Sequence, residues 1–355
     1  MSLLMWHRRL AAPDRATVVL AFCAFAVVAI AGVGMIATDM SIDAASAKPL
    51  GLLLLIQLGI ALYCRFRRIE RLQPVAEIAS CFVVACFGLL PISYLAVRFN
   101  LPLMDDWLMA LDRAIGFDWT ALVRAVDEQP LLADFLSIAY SSFGFQLFFL
   151  PVFLALLRND TRAHAMVVAY MLIVLGATVV SIWFPARGAF FAYGLDQSML
   201  KNVDAHFGYA FLNEFHAART DAHFGMSLDR VEGLLTFPSV HVAVAVLCIW
   251  AGWGSRLLAG PFLVLNGGMI LSALTNGGHY LADVIAGAVL AVAAIGVTVH
   301  VYPATSWRRS RHAERLLWAE VRAFVGGGSG PAEGEGILRS RNSQLTASSP
   351  AAASD

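Results

Sequence analysis

Two histidines and an aspartate stand out against an apolar chain: His241 in TFPSVHVAV, and His279 four residues before Asp283 in NGGHYLADVIAG. Residues i and i+4 share a helix face, so Asp283 can accept a hydrogen bond from one ring nitrogen of His279. That bond fixes the tautomer and raises the basicity of the other nitrogen, which suits a nucleophile or base. Pro238 fits the first helical position, where its missing N–H costs nothing, and the amides around Ser239–His241 then point outward with the positive end of the helix dipole. Such a helix start attracts anions. Gly277 and Gly278 permit close backbone approach at a second helix start. Arg187, in WFPARGAFF, adds a forked cation suited to phosphate oxygens. Two histidines, a carboxylate, an arginine and two helix N-termini make a phosphoryl-transfer site without metal. His279 would attack phosphorus and His241 would protonate the leaving oxygen.

The chain must bring these groups together, and its composition says with what. It is 59% hydrophobic and only 14% charged, with a mean hydropathy of +0.70. A soluble domain needs more charge to cover its surface, so the expectation is an all-α polytopic membrane protein. Zero net charge argues against a nucleic-acid binder. The five cysteines lie inside apolar runs with no metal-type spacing and read as small core hydrophobes. A spanning helix needs about 20 mostly apolar residues. Eight candidates qualify, roughly 17–38, 50–64, 75–97, 131–157, 164–185, 237–253, 258–275 and 279–302. The first is too long an apolar run for a cleaved signal peptide and reads as an uncleaved helix. With the N-terminus inside, the inner segments hold 15 basic residues against 8 in the longer outer loops, which puts both termini in the cytoplasm.

Under that topology Arg187, His241 and the His279–Asp283 pair fall at one outer face. Two outer loops are long, 98–130 and 186–236. In the first, Met104, Leu108, Leu111 and Ile115 form one stripe, with Asp105, Asp106 and Asp112 on other faces, a pattern that suits a helix lying on the membrane surface. The organisation expected is a cytoplasmic segment and two-helix hairpin over 1–74, a catalytic domain over 75–305, and a cytoplasmic tail over 306–355. The GGGSGPAEGEG stretch makes the tail disordered after about 325.

The pair PSVH and HYLADVIAG resembles the second and third signature motifs of the type 2 phosphatidic acid phosphatase superfamily. The resemblance implies a six-helix core over spans three to eight, with His279 as nucleophile, Asp283 as its partner, His241 as general acid and Ser239 as a phosphate ligand. The family's first motif has a lysine, six residues, then Arg-Pro; here Arg187 precedes Gly188 and the lysine position is Val180. The family's Ser-Arg pair becomes Ser272-Ala273. That loss is similar to the branch of inositol phosphorylceramide and sphingomyelin synthases, and the 104–119 segment looks like bacterial relatives of the inositolphosphotransferase branch. The resemblance implies a multi-pass protein of a bacterial plasma membrane with its site on the periplasmic side.

Blander readings compete. Arg187 would otherwise be a snorkelling interfacial arginine. His206, His216 and His223 read as loop surface and not as metal ligands, and Lys201, Arg219 and Arg230 as a solvated loop. A proton-coupled transporter would show internal repeats and midplane charges, and neither is found. The expectation is therefore an enzyme acting on a lipid phosphate, with a lipid alcohol as possible acceptor and no metal or organic cofactor. A lipid phosphate phosphatase is the alternative to an inositolphosphotransferase.

Overall fold

The computed structural model describes residues 15–255, 257–302 and 304–325. The expected disorder after about 325 lies outside the described residues, as do Arg8, Arg9 and Arg256. Long apolar runs become helices because a backbone in hydrocarbon must satisfy its own N–H and C=O groups. Helices α1 (Arg15–Ala37) and α2 (Ala44–Arg67) both pack on α3 (Gln73–Arg98). Two short helices, α4 (Asp105–Ala114) and α5 (Trp119–Asp127), lead into α6 (Pro130–Ser141) and α7 (Phe143–Leu156). Next comes α8 (Asp160–Trp183), then the short α9 (Ala189–Tyr193), α10 (His206–Ala210) and α11 (Leu212–Thr220) in a long connection. The chain continues through α12 (Val240–Gly252), α13 (Ala259–Thr275), α14 (Leu281–Val301) and α15 (Ala304–Val325). The architecture is all-α; the β structure among the described residues is one parallel pair of two-residue strands, β1 (Ser41–Ile42) and β2 (Gly225–Met226).

Among the described residues five helices, α1, α2, α3, α8 and α14, are long and apolar enough to cross a membrane. The run expected as one span over 131–157 is instead α6 and α7, bent by 57° at Ser142. Ser142 Oγ donates to the Ala139 carbonyl at 2.6 Å and accepts Gln146 Nε2 at 2.8 Å. A serine bonded back to its helix, two residues from Gly144, is the kind of feature that kinks helices. Counted as one, the pair makes a sixth long span, while α12 and α13 are apolar but shorter.

The middle of the bundle is α3 and α8, whose Ile78, Leu89, Met166 and Ile173 pack with Ala243, Val244 and Leu247 of α12. Helix α2 buries only Ser46 and Cys64 and turns its leucines and isoleucines outward, as a helix facing hydrocarbon does.

At one end of the bundle Arg98, the last residue of α3, donates to the carbonyls of Thr38 (2.7 Å), Ala218 (3.3 Å), Asp221 (3.0 Å) and Ala222 (2.9 Å). Together with the β1–β2 pair, this clamp ties the α1–α2 connection to the long connection before α12. At the opposite end Glu77 takes Arg65 at 3.1 Å, Gln73 at 3.0 Å and Thr17 at 3.1 Å. There Asn159 donates to Glu314 of α15 at 3.0 Å, and Trp307 meets Trp250 edge-on. The tail expected from 306 therefore begins as a docked helix, because Ala, Arg, Glu and Leu over 304–325 are good helix formers.

Candidate active site

Helices α12 and α14 cross at their N-terminal ends. The Ser239 N–H donates to the main-chain carbonyl of Asp283 at 3.1 Å. Gly287, one turn deeper, lies so close that any β-carbon there would overlap the Ser239 carbonyl. A small residue is what lets two membrane helices approach like this. Ser239 Oγ accepts the Val242 N–H at 3.4 Å, so serine is the N-cap and the helix begins at Val240. Pro238 precedes the cap instead of occupying the first helical position, since the serine hydroxyl is the stronger start signal. The hydroxyl expected to bind phosphate thus also closes its own helix.

His279 Nδ1 lies 3.1 Å from Asp283 Oδ2, and both residues are buried. The same oxygen accepts the Tyr280 N–H at 3.0 Å, so Asp283 holds the imidazole and completes the start of α14 at once. With Nδ1 engaged as donor, Nε2 is the ring nitrogen left for chemistry. The His241 ring centroid is 6.5 Å from that of His279. Tyr140 stacks on His241 at 4.1 Å and 8°, and Phe143 packs at 4.3 Å. These two aromatic residues flank the bend at Ser142, so the bend is what presents both to one imidazole.

Helix α4 supplies the scaffold that sequence reasoning missed. Asp105, Leu108 and Asp112 form its buried face, while Leu111 and Ile115 are exposed. Part of the apolar stripe, Leu111 and Ile115, thus faces outward, while Asp105 and Asp112 turn inward, because buried N–H groups there need acceptors. Asp112 takes the N–H groups of Leu281 (2.9 Å) and Ala282 (3.1 Å). A carboxylate of the chain thus occupies the start of α14, which is not the open anion site expected. Asp105 takes the Arg187 N–H at 3.0 and 3.1 Å, the Gly188 N–H at 3.0 Å and the Tyr280 hydroxyl at 2.9 Å. In that last bond the Tyr280 phenol is the donor and the carboxylate the acceptor. The Ala189 N–H donates to the Gly278 carbonyl; Gly188 (φ +93°) and Gly278 (φ +65°) meet there in backbone conformations that favour glycine. By these bonds the loop after α8 is fastened beside His279. Two acids seven residues apart on one face of a short helix are the sequence signal that would have found this scaffold.

The Arg187 guanidinium stands 3.8 Å over the Phe191 ring, with Nε 3.8 Å from Asp105 and the side chain 28% exposed. Solvent, and so a ligand, can still reach it. Of the loop basics, Arg219 is not simply solvated: it donates to the Leu101 carbonyl at 2.7 Å and lies over Phe215. Burial, and then the nearby charge of Arg187, lower its pKa. The Lys201 N–H is held by Asp127, and the Arg230 side chain lies outside the described residues. His206 and His216 are exposed, and exposed His223 pairs with Asp39. Among the described residues no three metal-ligating side chains converge.

A cavity of about 370 Å³ opens beside both histidines. Leu89, Leu90, Phe143, Tyr170 and Leu235 form much of its wall, and Glu232 and Thr236 bring polar groups to it.

The family model described as the PAP2 superfamily matches residues 106–297, which takes in Arg187, Ser239, His241, His279 and Asp283. No curated protein and no solved structure matches the chain.

Proposed function

The chain belongs to the PAP2 superfamily, and from that membership we propose a membrane-embedded enzyme that transfers a phosphoryl group on lipid phosphate esters, of the inositolphosphotransferase kind. The observation that carries the reading is the His279–Asp283 pair, 3.1 Å apart and buried, with His241 across from it. His279 Nε2 attacks phosphorus as the bond to the leaving oxygen breaks, and His241 gives that oxygen its proton. Asp283 fixes the tautomer and offsets the charge the ring gains. In the second half an acceptor oxygen attacks the phosphohistidine, the P–N electron pair returns to His279, and His241 takes the acceptor's proton. Ser239 and Arg187 hold the phosphate oxygens. No metal or organic cofactor enters this mechanism.

Arg187 is the one cation at the three motif positions, with Val180 and Ala273 at the others. A single positive charge there suits a phosphodiester donor such as phosphatidylinositol, and a lipid alcohol is then the acceptor. A lipid phosphate phosphatase is the second reading, favoured by Arg219, whose charge feels that of Arg187 and adds a cation to this end of the bundle. Product analysis of purified protein decides between them, with phosphatidylinositol and lipid alcohols in one arm and phosphatidic and prenyl phosphates in the other. Headgroup transfer is expected to exceed phosphate release; free phosphate released from the monoesters far faster than any transfer sinks the preference.

The proposed topology counts the bent α6–α7 pair as one span and includes α12 and α13, giving eight crossings. Residues 75–305 hold the six-helix catalytic core, 1–74 the added hairpin, and both termini are cytoplasmic. The site then faces the periplasm of a bacterial plasma membrane. A cysteine replacing Lys201 is expected to react with a membrane-impermeant thiol reagent in intact cells. Labelling only after the cells are opened would put the site in the other compartment.

A further inference from the structure

Glu232 is an acid in an apolar cavity, and the mechanism above has no use for it. It lies in the segment leading to α12, and its N–H donates to the Tyr94 hydroxyl at 3.3 Å. Its carboxylate has no hydrogen-bond or ion-pair partner among the described residues. The cavity it lines, about 370 Å³, also has His241 and His279 in its wall and no lysine or arginine. Arg187 is not among the lining residues, so the cavity wall itself brings no cation to the histidine pair.

That lining decides which half of the substrate the cavity takes. A phosphate group gains nothing in a cavity whose one carboxylate repels it and which offers no cation. A neutral alkyl alcohol fits: the leucine and aromatic walls take its chain, and its hydroxyl reaches the histidines. The leaving alcohol and the incoming acceptor occupy one place in turn, because each lies in line with the P–N bond and exchanges its proton with His241. An unpartnered carboxylate in that place discriminates between them through a second donor, which the leaving diacylglycerol lacks. Resting on the transferase reading, we propose that the cavity is the alcohol subsite and that Glu232 selects acceptors carrying a second hydroxyl beside the reacting one. The reacting hydroxyl forms the new P–O bond and passes its proton to His241, while the second hydroxyl donates to the Glu232 carboxylate and is chemically unchanged. A site built to bond a hydroxyl rejects the analogue lacking it, because its own polar group is then left unpaired.

The experiment is a competition. Purified full-length protein in vesicles of phosphatidylinositol receives equal amounts of hexadecan-1-ol and hexadecane-1,2-diol, and the two inositolphosphoryl products are measured together. The wild type is expected to favour the diol. In Glu232→Gln that preference falls by roughly tenfold to a hundredfold, the range for losing one charge-assisted hydrogen bond. The ratio is internal to one reaction, so partial loss of folded protein cancels. Glu232→Asp and Glu232→Ala run in the same way, with aspartate retaining more of the preference than alanine. No preference in the wild type, an unchanged ratio in the variants, or folded variants that make neither product overturns the selectivity role while leaving the transferase standing. Failure of the wild type to use either alcohol, with phosphate released from monoesters instead, removes the transferase reading and this inference with it.

Discussion

His279→Ala is expected to lower headgroup transfer by about 10⁴-fold or more, the scale seen when a covalent nucleophile is removed, while the protein stays folded. The ring is buried, yet its hydrogen bond runs to Asp283, which keeps the Tyr280 N–H as a second partner. Truncation therefore leaves a small void and a carboxylate that is still partly satisfied. The second half of the same test is covalent. Wild-type protein incubated with labelled donor and no acceptor should carry an acid-labile adduct, as a P–N bond requires, and His279→Ala should carry none. His241→Ala should still form the adduct, more slowly by about 10²–10⁴-fold, the usual worth of general acid catalysis. The deficit should shrink with a donor whose leaving group departs without help. A folded, active His279→Ala protein would falsify the nucleophile assignment.

The candidate site was legible in the sequence because polar residues are conspicuous in apolar helices. His241, His279 and Asp283 sit where apolar helices begin, and ionisable groups in such places mark function by default. The long helices were legible for the same reason, since 18 or more apolar residues leave little choice of structure. Bends and ends were less so. In the 131–157 run Ser141, Ser142, Gly144 and Gln146 interrupt the apolar residues only briefly; the break depends on a serine back-bond and on Asn266 Nδ2, which donates to the Gln146 side-chain oxygen at 2.8 Å from another helix. The start of α12 moved two residues past Pro238 because a cap is decided by which side chain reaches which amide. Least legible was α4. Amphipathicity fixes two faces but not what packs on the acidic one, and the sequence reading left Asp105 and Asp112 without a role. What decided it was the set of unpaired amides at Arg187, Gly188, Leu281 and Ala282, which come from segments far along the chain.

Asp105→Ala is the most severe change expected outside the histidines, and its neighbour provides the control. Asp105 and Asp106 carry the same charge on the same helix turn, but Asp105 is 5% exposed and accepts from three residues, while Asp106 is exposed. Removing the Asp105 carboxylate strands the Arg187 and Gly188 N–H groups and the Tyr280 hydroxyl. Each orphaned buried donor costs about 1–3 kcal/mol, so a loss of roughly 3–5 kcal/mol is expected once some donors find water. The loss should be local before it is global, because the bonds join the loop after α8 to the start of α14 and not the spanning helices to one another. Released, that loop carries Arg187 away from the histidines. A displacement of about 1 Å at a positioned group can cost about 10²-fold in rate, so activity should fall by at least that much. Asp105→Asn keeps one acceptor oxygen but turns an amide N–H toward groups that donate, and should fall between the two. Asp106→Ala should change thermal stability in detergent by no more than about 0.5 kcal/mol, the usual range for a surface substitution, and leave activity unchanged. Equal behaviour of Asp105→Ala and Asp106→Ala in the melting and transfer assays would mean that α4 positions nothing, and that Arg187 is held by its own loop.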